Sequence, residues 1–475
     1  MTEKYEALKS KLEKVIQVAA FIGVAVVILS PMFQWAERLY MLKTGTGMIY
    51  YDYLETEQHN RMGDSVEAYQ IMIRLIQSIS ALMAKIIAGA AFIYALISWD
   101  KVKGNVKGYI KAATPLIIFG AYVAGIYIVT QIRGVTEFDI VAHFYMGESI
   151  YEFMRHPFTY FFCGMFVLSE KPRKLLMYIF TVSAMILNGA SMIDKWVVAN
   201  KCFTGLKGSA IFNNTNHYGY YLAIVVICAA LLFIYEDRAV FKTFHAANMA
   251  LGMAAMISTG SLGPYVAVIF TLISFAVYCF KCERKRLKWV IIALGIIIAI
   301  NLMMSMLVES FVSSMIRTVF DLGNIISDPS GSDDAGSGRW ELWKQAVSNI
   351  SRRPLLGWGI EGYEVGGTAH CEPLQYAVNF GIPVTVLHAA AIAVVMVETF
   401  FKKKKLSKMT LLCFCCTFSY IISAMFGVAI FYTTPFFYIF LGLTYAEVGK
   451  SFLLKEEKSD NSTSGEENDT ILKKV

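Results

Sequence analysis

Charge is what this sequence most lacks. Of its 475 residues only 17% are Asp, Glu, Lys or Arg, while 56% are hydrophobic and mean hydropathy is +0.52. A soluble domain carries about 25% charged residues, and a soluble chain of this length needs enough polar surface to cover more than one core. A soluble globular protein is therefore excluded. The nine cysteines show no metal-ligand spacing. Cys413, Cys415 and Cys416 lie in an apolar run, where a thiol packs as a small hydrophobe. No segment recurs at a fixed period, so a solenoid is excluded as well. A cleavable signal peptide is not expected, because the first apolar run follows an amphipathic basic stretch without a small-residue cleavage site.

What is present is a series of apolar blocks, each about 17 to 22 residues long, enough to cross roughly 30 Å of hydrocarbon as a helix. Hydropathy predicts an all-α polytopic membrane protein of about twelve spans. Their limits are near 15–36, 75–98, 113–132, 155–169, 175–193, 218–235, 245–259, 264–280, 289–308, 381–400, 409–427 and 433–449. Only Gly260 to Gly263 separate the seventh and eighth, which predicts a tight hairpin. Residues 1–449 are read as one transmembrane domain. The remainder, 450–475, is rich in Glu, Asp, Ser, Asn and Lys and is expected to be a disordered cytoplasmic tail.

The net charge of +7 is an orientation signal. Alternate connections hold about 28 Lys and Arg in roughly 84 residues, against about 14 in roughly 173 for the opposite set. The dense set includes Lys4 to Lys14, Lys101 to Lys111, Lys281 to Lys288 and Lys402 to Lys408. By the positive-inside rule that side is cytoplasmic, with both termini on it. Nucleic acid is not an expected partner. Lys85, near the middle of the second span, is expensive in lipid and is expected to face a cavity or a partner. His388 in the tenth span is expected to pack or to hydrogen-bond.

The long connections fall on the other side, above all 309–380 between spans nine and ten. A transporter of the major facilitator type would place its long loop inside, between spans six and seven. Within 309–380, a turn-rich stretch from Asp328 to Asp334 precedes a helix beginning at Arg339. Trp340, Trp343, Val347 and Ile350 recur at helical spacing, which predicts an interfacial helix. Arg339, at its N-terminal end, adds five donors to unpaired amides and makes a good anion site. Arg352-Arg353-Pro354 ends the helix. Gly357-Trp358-Gly359-Ile360-Glu361-Gly362 reads literally as a dinucleotide fingerprint, but an outer membrane loop lacks the strand and parallel sheet that motif needs. His370 is the sole histidine of the loop and can accept a proton from a sugar hydroxyl. Glu372 is a second candidate base or an orienting group. Cys202 and Cys371 fall on this side, where a disulfide would need an oxidising compartment.

Taken together, three pieces resemble the outer loop of the O-antigen ligase and polymerase superfamily. They are Gly338-Arg339-Trp340-Glu341-Leu342-Trp343-Lys344-Gln345-Ala346, then Pro354-Leu355-Leu356-Gly357-Trp358-Gly359, then Ala369-His370 with Leu374-Gln375 and Gly381-Ile382. Gly208 to Asn216, leading into His217 and Tyr218, resembles that family's glycine-to-asparagine segment at the mouth of a span. The resemblance implies metal-independent transfer of a glycan from an undecaprenyl-pyrophosphate carrier to a glycan or lipid acceptor on the extracytoplasmic side of the bacterial cytoplasmic membrane. It implies that Arg339 holds the pyrophosphate, that His370 activates or positions the acceptor, and that no cofactor takes part.

One departure stands out. The turn Ser258-Thr259-Gly260-Ser261-Leu262-Gly263-Pro264 has Leu262 where the family usually has an arginine. Lys207, Arg317, Arg352 and Arg353 are the candidate replacements, Lys207 foremost because it abuts Gly208. Asn216, His217 and His156 flank outer span mouths and are candidate site-lining residues. The expected function is polymerisation of lipid-linked repeat units, with ligase-type transfer of finished glycan as the runner-up. Flippase and chain-length regulator proteins are the implied partners. A lipid-linked oligosaccharide flippase and an envelope scaffold are the rivals. A flippase predicts polar residues lining a path through many spans, and Lys85 is nearly the lone example.

Overall fold

A computed structural model describes residues 2–36, 82–132, 170–193, 215–307, 339–358, 369–398, 406–427 and 433–449, with 79, 159, 161, 196 and 212. Among them every regular element is helical and no strand occurs. Lipid enforces this, since each backbone N–H and C=O must be paired within its own segment. The helices are α1 (Thr2–Ile28), α2 (Leu82–Ile97), α3 (Trp99–Ile132), α4 (Glu170–Met192), α5 (Thr215–Tyr235), α6 (Ala239–Thr259), α7 (Leu262–Cys282), α8 (Arg284–Leu307), α9 (Arg339–Arg352), α10 (Glu372–Phe380), α11 (Ile382–Met396), α12 (Lys408–Ala424) and α13 (434–449).

Five helices are long and apolar enough to cross a membrane: Gly108–Ile126, Lys171–Met192, Thr215–Tyr235, Leu262–Cys282 and Arg284–Met306. Lys4–Ile28 and Ser30–Ala36 make a sixth if the pair, bent by 56°, is one broken span. Of the expected twelve, five or six meet this measure of length and composition among the described residues. Leu82–Ile97, Ile382–Met396 and Lys408–Ala424 are apolar but shorter. The predicted seventh span is the helix α6, whose Lys242, His245 and Asn248 dilute its hydropathy. Apart from 159 and 161, the predicted fourth span lies outside the described residues, as do the 309–338 part of the loop and the tail.

At the centre stands α5. A helix apolar on all sides belongs in an interior, and every residue from His217 to Tyr235 is buried. It packs against α4, α6, α7, α8 and α12, while α3 packs against α11 and α9 against α10. Close approach at one end depends on a small residue, as is common between membrane helices. A Cβ on Gly219 of α5 would lie 2.6 Å from Pro264 Cγ of α7.

The connections that the sequence marks as cation-rich gather at one end of this bundle. There Lys174 pairs with Glu236 at 3.2 Å, Arg286 with Asp237 at 3.4 Å, and Lys242 lies 3.2 Å over the Trp289 ring. Ser98 donates to Glu13 at 2.8 Å, and the Ser407 amide donates to Glu447 at 3.0 Å. Alternation of helix direction then brings Met192, Asn216, the Gly260-Ser261 hairpin, α9, α10 and Phe426-Gly427 to the opposite end. The hairpin is as tight as expected, because α6 ends at Thr259 and α7 begins at Leu262.

Candidate functional site

Two short helices and the turn between them build this end. The buried face of α9 is Ala346, Asn349 and Ile350. Ala346 and Ile350 form a small cluster with Ala369, Ala377 and Val378, which Trp358 and Leu374 cover. The predicted interfacial stripe is therefore rotated. Val347 is 56% exposed, while Ala346 and Ile350 meet α10, and Arg339 and Trp343 precede them at the helical spacings of four and three.

The turn after α9 is locked to α10 through backbone. Trp358 donates its amide to Val378 O at 2.8 Å and its indole N–H to Asn349 O at 3.0 Å. Ile382 donates to Pro354 O at 2.8 Å, and Tyr122 of α3 donates to Leu355 O at 2.5 Å. Two glycines make this crossing possible. Gly357 (φ 62°) leaves 2.5 Å between a would-be Cβ and the Asn379 carbonyl carbon, and Gly381 (φ 87°) leaves 2.0 Å to Leu355 O. The glycine turn read at Gly357 is thus a backbone crossing, while Gly359 lies outside the described residues.

This frame presents His370. Its preceding residue is pinned, since the Ala369 amide donates to Gln375 Oε1 at 2.8 Å and Gln375 Nε2 donates to Asn379 Oδ1 at 3.0 Å. Among the described residues His370 is the one non-glycine with positive φ, 45°. Such a conformation costs about 1–2 kcal/mol, and strain of this kind concentrates at functional sites. Burial pushes the imidazole pKa down, and the charge of Arg339 pushes it further the same way. The ring is half-buried and neutral at pH 7, the form that accepts a proton. Arg339, on the first turn of α9, is half-buried beside it.

Glu372 occupies the first turn of α10 and is 2% exposed. Tyr376 donates to its Oε1, and Tyr420 of α12 donates to its Oε2 at 3.2 Å. Burial pushes its pKa up to about 7 against the opposing pull of those two hydroxyls. Both carboxyl oxygens are engaged and enclosed, so the geometry suits an orienting group better than a base. Beneath it His388 packs among Phe119, Tyr376, Phe437 and Tyr438, with ring centroids 5.1 to 6.5 Å away. That is the packing role expected of it. Cys371 is a free, buried thiol whose pKa burial raises, and Cys202 lies outside the described residues.

The mouth of α5 supplies the third wall. Asn216 Oδ1 accepts from Ser261 Oγ at 2.6 Å, tying α5 to the hairpin before α7. His217 is 8% exposed and within electrostatic reach of His370. Tyr220, one turn on, is within electrostatic reach of Arg339, Glu372 and Cys371. A Cβ at Gly427 would sit 1.1 Å from the Tyr220 hydroxyl. Leu262 is half-buried beside this mouth and brings no charge to it.

The structure therefore brings Arg339, His370, Glu372 and His217 together, with Asn216 on the adjoining hairpin. It does not bring Arg352 or Arg353. Arg352 is exposed at the far end of α9, about 20 Å along the axis from Arg339 at 1.5 Å per residue. Arg353 lies 4.0 Å over the Trp358 ring. Lys207, Arg317 and His156 lie outside the described residues. Lys85 is exposed on α2.

Sequence reasoning missed Tyr220, Tyr376 and Tyr420. A signal for Tyr376 existed, because Glu372 and Tyr376 are spaced i,i+4 on one helix. Tyr220 and Tyr420 come from other helices, and no local pattern points from them to Glu372.

Residues 247–389 match the family described as O-antigen ligase. The matched stretch runs from α6 into α11 and contains Leu262, Arg339, His370 and Glu372. It supports the superfamily resemblance carried by the loop motifs. No curated protein matches the chain.

Proposed function

We propose that this chain is a membrane glycosyltransferase that moves a glycan from an undecaprenyl-pyrophosphate carrier to an acceptor hydroxyl. The observation that carries the reading is the pairing of one cation, Arg339, with one neutral imidazole, His370, at the cation-poor end of the helix bundle. By the positive-inside rule that end is extracytoplasmic, in a bacterial cytoplasmic membrane.

In this reading the acceptor oxygen attacks the anomeric carbon and the bond from that carbon to the pyrophosphate oxygen breaks. The bonding pair leaves on the pyrophosphate, and the hydroxyl proton passes to His370. Arg339 holds the pyrophosphate by short, charge-assisted bonds and stabilises the charge that grows on it. A leaving group this good needs a cation more than a general acid. Glu372 acts by fixing Tyr420 and Tyr376 beneath the site. The burial that lowers the His370 pKa keeps the base free of its proton at neutral pH.

Polymerisation of lipid-linked repeat units is the first reading. Ligase-type transfer of finished glycan is the second, favoured by the description of the matched family. Flippase and chain-length regulator proteins are the partners that either reading implies. In the native host, Arg339→Ala and His370→Ala are expected to abolish transfer while the protein remains inserted and abundant. Loss of the surface-polysaccharide ladder, with single units still on their terminal acceptor, identifies a polymerase. Long polymer held on the carrier, with none on the final acceptor, identifies a ligase. Wild-type pools in both variants would overturn the reading.

A further inference from the structure

Three hydrogen-bond donors near Arg339 are buried and have no partner: Tyr220 Oη, Trp340 Nε1 and Trp343 Nε1. A buried polar group left unpaired is strongly disfavoured, and an indole N–H can only donate. Phenylalanine would fill the Tyr220 position with the same ring and no orphan hydroxyl. Yet the chain keeps the hydroxyl and leaves no room for a side chain at Gly427 beside it. Trp343 lies four residues after Arg339 on α9, a spacing that sets the two side chains on one side of the helix about one turn apart. Tyr220, on α5, is within electrostatic range of Arg339 and packs with its ring 6.5 Å from that of Tyr420.

What these donors lack is an acceptor, and the described residues bring the site no second unengaged cation. Among the described residues at this end the cations are Arg339, Lys344, Arg352 and Arg353. Lys344 pairs with Glu341 at 3.5 Å, Arg352 points to solvent at the far end of α9, and Arg353 is stacked on Trp358. The carboxyl of Glu372 is taken up by Tyr376 and Tyr420. A multiply charged oxyanion is the ligand class that one guanidinium and several neutral donors complement.

We infer that Tyr220 and Trp343 are binding residues that complete the Arg339 site for a pyrophosphate group, with neutral O–H and N–H donors serving where Leu262 supplies no charge. The inference rests on the glycosyltransferase reading and adds to it which side chains hold the leaving group. Neutral donors bind a phosphate oxygen without repelling Arg339, and they leave the salt dependence of binding to the single cation.

The test is titration of the purified full-length chain in detergent with inorganic pyrophosphate, followed by calorimetry. Tyr220→Phe keeps the ring and deletes the hydroxyl donor, and Trp343→Phe keeps an aromatic side chain but replaces the indole, with its N–H, by a smaller ring. Each is expected to weaken binding about tenfold, as for loss of a hydrogen bond to a charged group, with the salt dependence unchanged. Arg339→Ala is expected to weaken binding and to flatten the salt dependence. In a second measurement on the unmutated chain labelled with 15N-tryptophan, the Trp343 indole N–H resonance is expected to move downfield as pyrophosphate is added. That measurement decides the matter if either variant fails to fold. Wild-type affinity in both Phe variants, or an indole resonance that does not move, overturns this inference while the Arg339 reading stands. An unmutated chain that does not bind pyrophosphate overturns both.

Discussion

The guanidinium of Arg339 stands close enough to the imidazole of His370 to disfavour its protonation, although the two are 31 residues apart, one on the first turn of α9 and the other in the bend before α10. Burial is the larger cause of the lowered pKa and the arginine charge the second. Because a base must be unprotonated, transfer activity is expected to fall only on an acid limb below the ordinary histidine value of about 6.5. Arg339→Gln removes the second cause, so the His370 pKa should rise toward that value. Imidazole resonances of 13C-histidine-labelled protein, followed against pH, check this. An identical His370 titration in the variant would refute the electrostatic link.

Glu372 predicts a pH-dependent stability. Its folded pKa of about 7 is above the ordinary 4.5, so the fold favours the protonated carboxyl. The contribution is fully present below about 4.5 and is lost as pH rises through about 7. Glu372→Gln mimics the protonated form, since an amide can accept from one tyrosine and donate to the other. The variant is expected to gain on the parent by up to about 3 kcal/mol between about pH 5 and about pH 8. Melting curves in detergent at the two pH values measure it. A gap that does not widen with pH would show that the carboxyl ionises freely.

Gly381→Ala is expected to be among the most damaging small substitutions. Its φ of 87° is a region that side chains avoid, and a Cβ would meet Leu355 O at 2.0 Å. Loss of about 3 kcal/mol or more is expected, with His370 displaced because the turn and α10 move together. Limited proteolysis near the Pro354–Trp358 turn reports the release, and parent-like resistance would argue against the locked crossing.

Tyr122→Phe removes the hydroxyl that holds Leu355 O from α3. A loss of about 1 kcal/mol is expected, with transfer reduced but not abolished, because His370 keeps its own anchor through Gln375. Complete loss of transfer with normal protein levels would assign α3 a direct part in the site.

The loop pieces Gly338–Ala346, Pro354–Gly359 and Ala369-His370 were legible because each is local. A helix start, a glycine turn and a lone histidine all declare themselves within a few residues. The helical character of the chain was legible for the same reason, since apolar runs in lipid have one way to pair their own backbone. Counting spans was harder, because α6 carries His245 and Asn248 and still packs against α5. Hydropathy sums composition, whereas burial depends on what the neighbouring helices cover.

Sequence alone therefore determined the membrane setting, the cation-rich end and the two residues offered for chemistry, all properties of composition and short spacing. Tertiary structure decided which partners those residues meet. It placed Arg352 and Arg353 away from His370, turned Val347 outward, and enclosed Glu372 between tyrosines from α10 and α12. It also set Tyr220 of α5 within reach of Arg339 of α9, across 119 residues of chain. Such contacts arise from how helices pack side by side, and no pattern along one helix encodes the face that a distant helix will present to it.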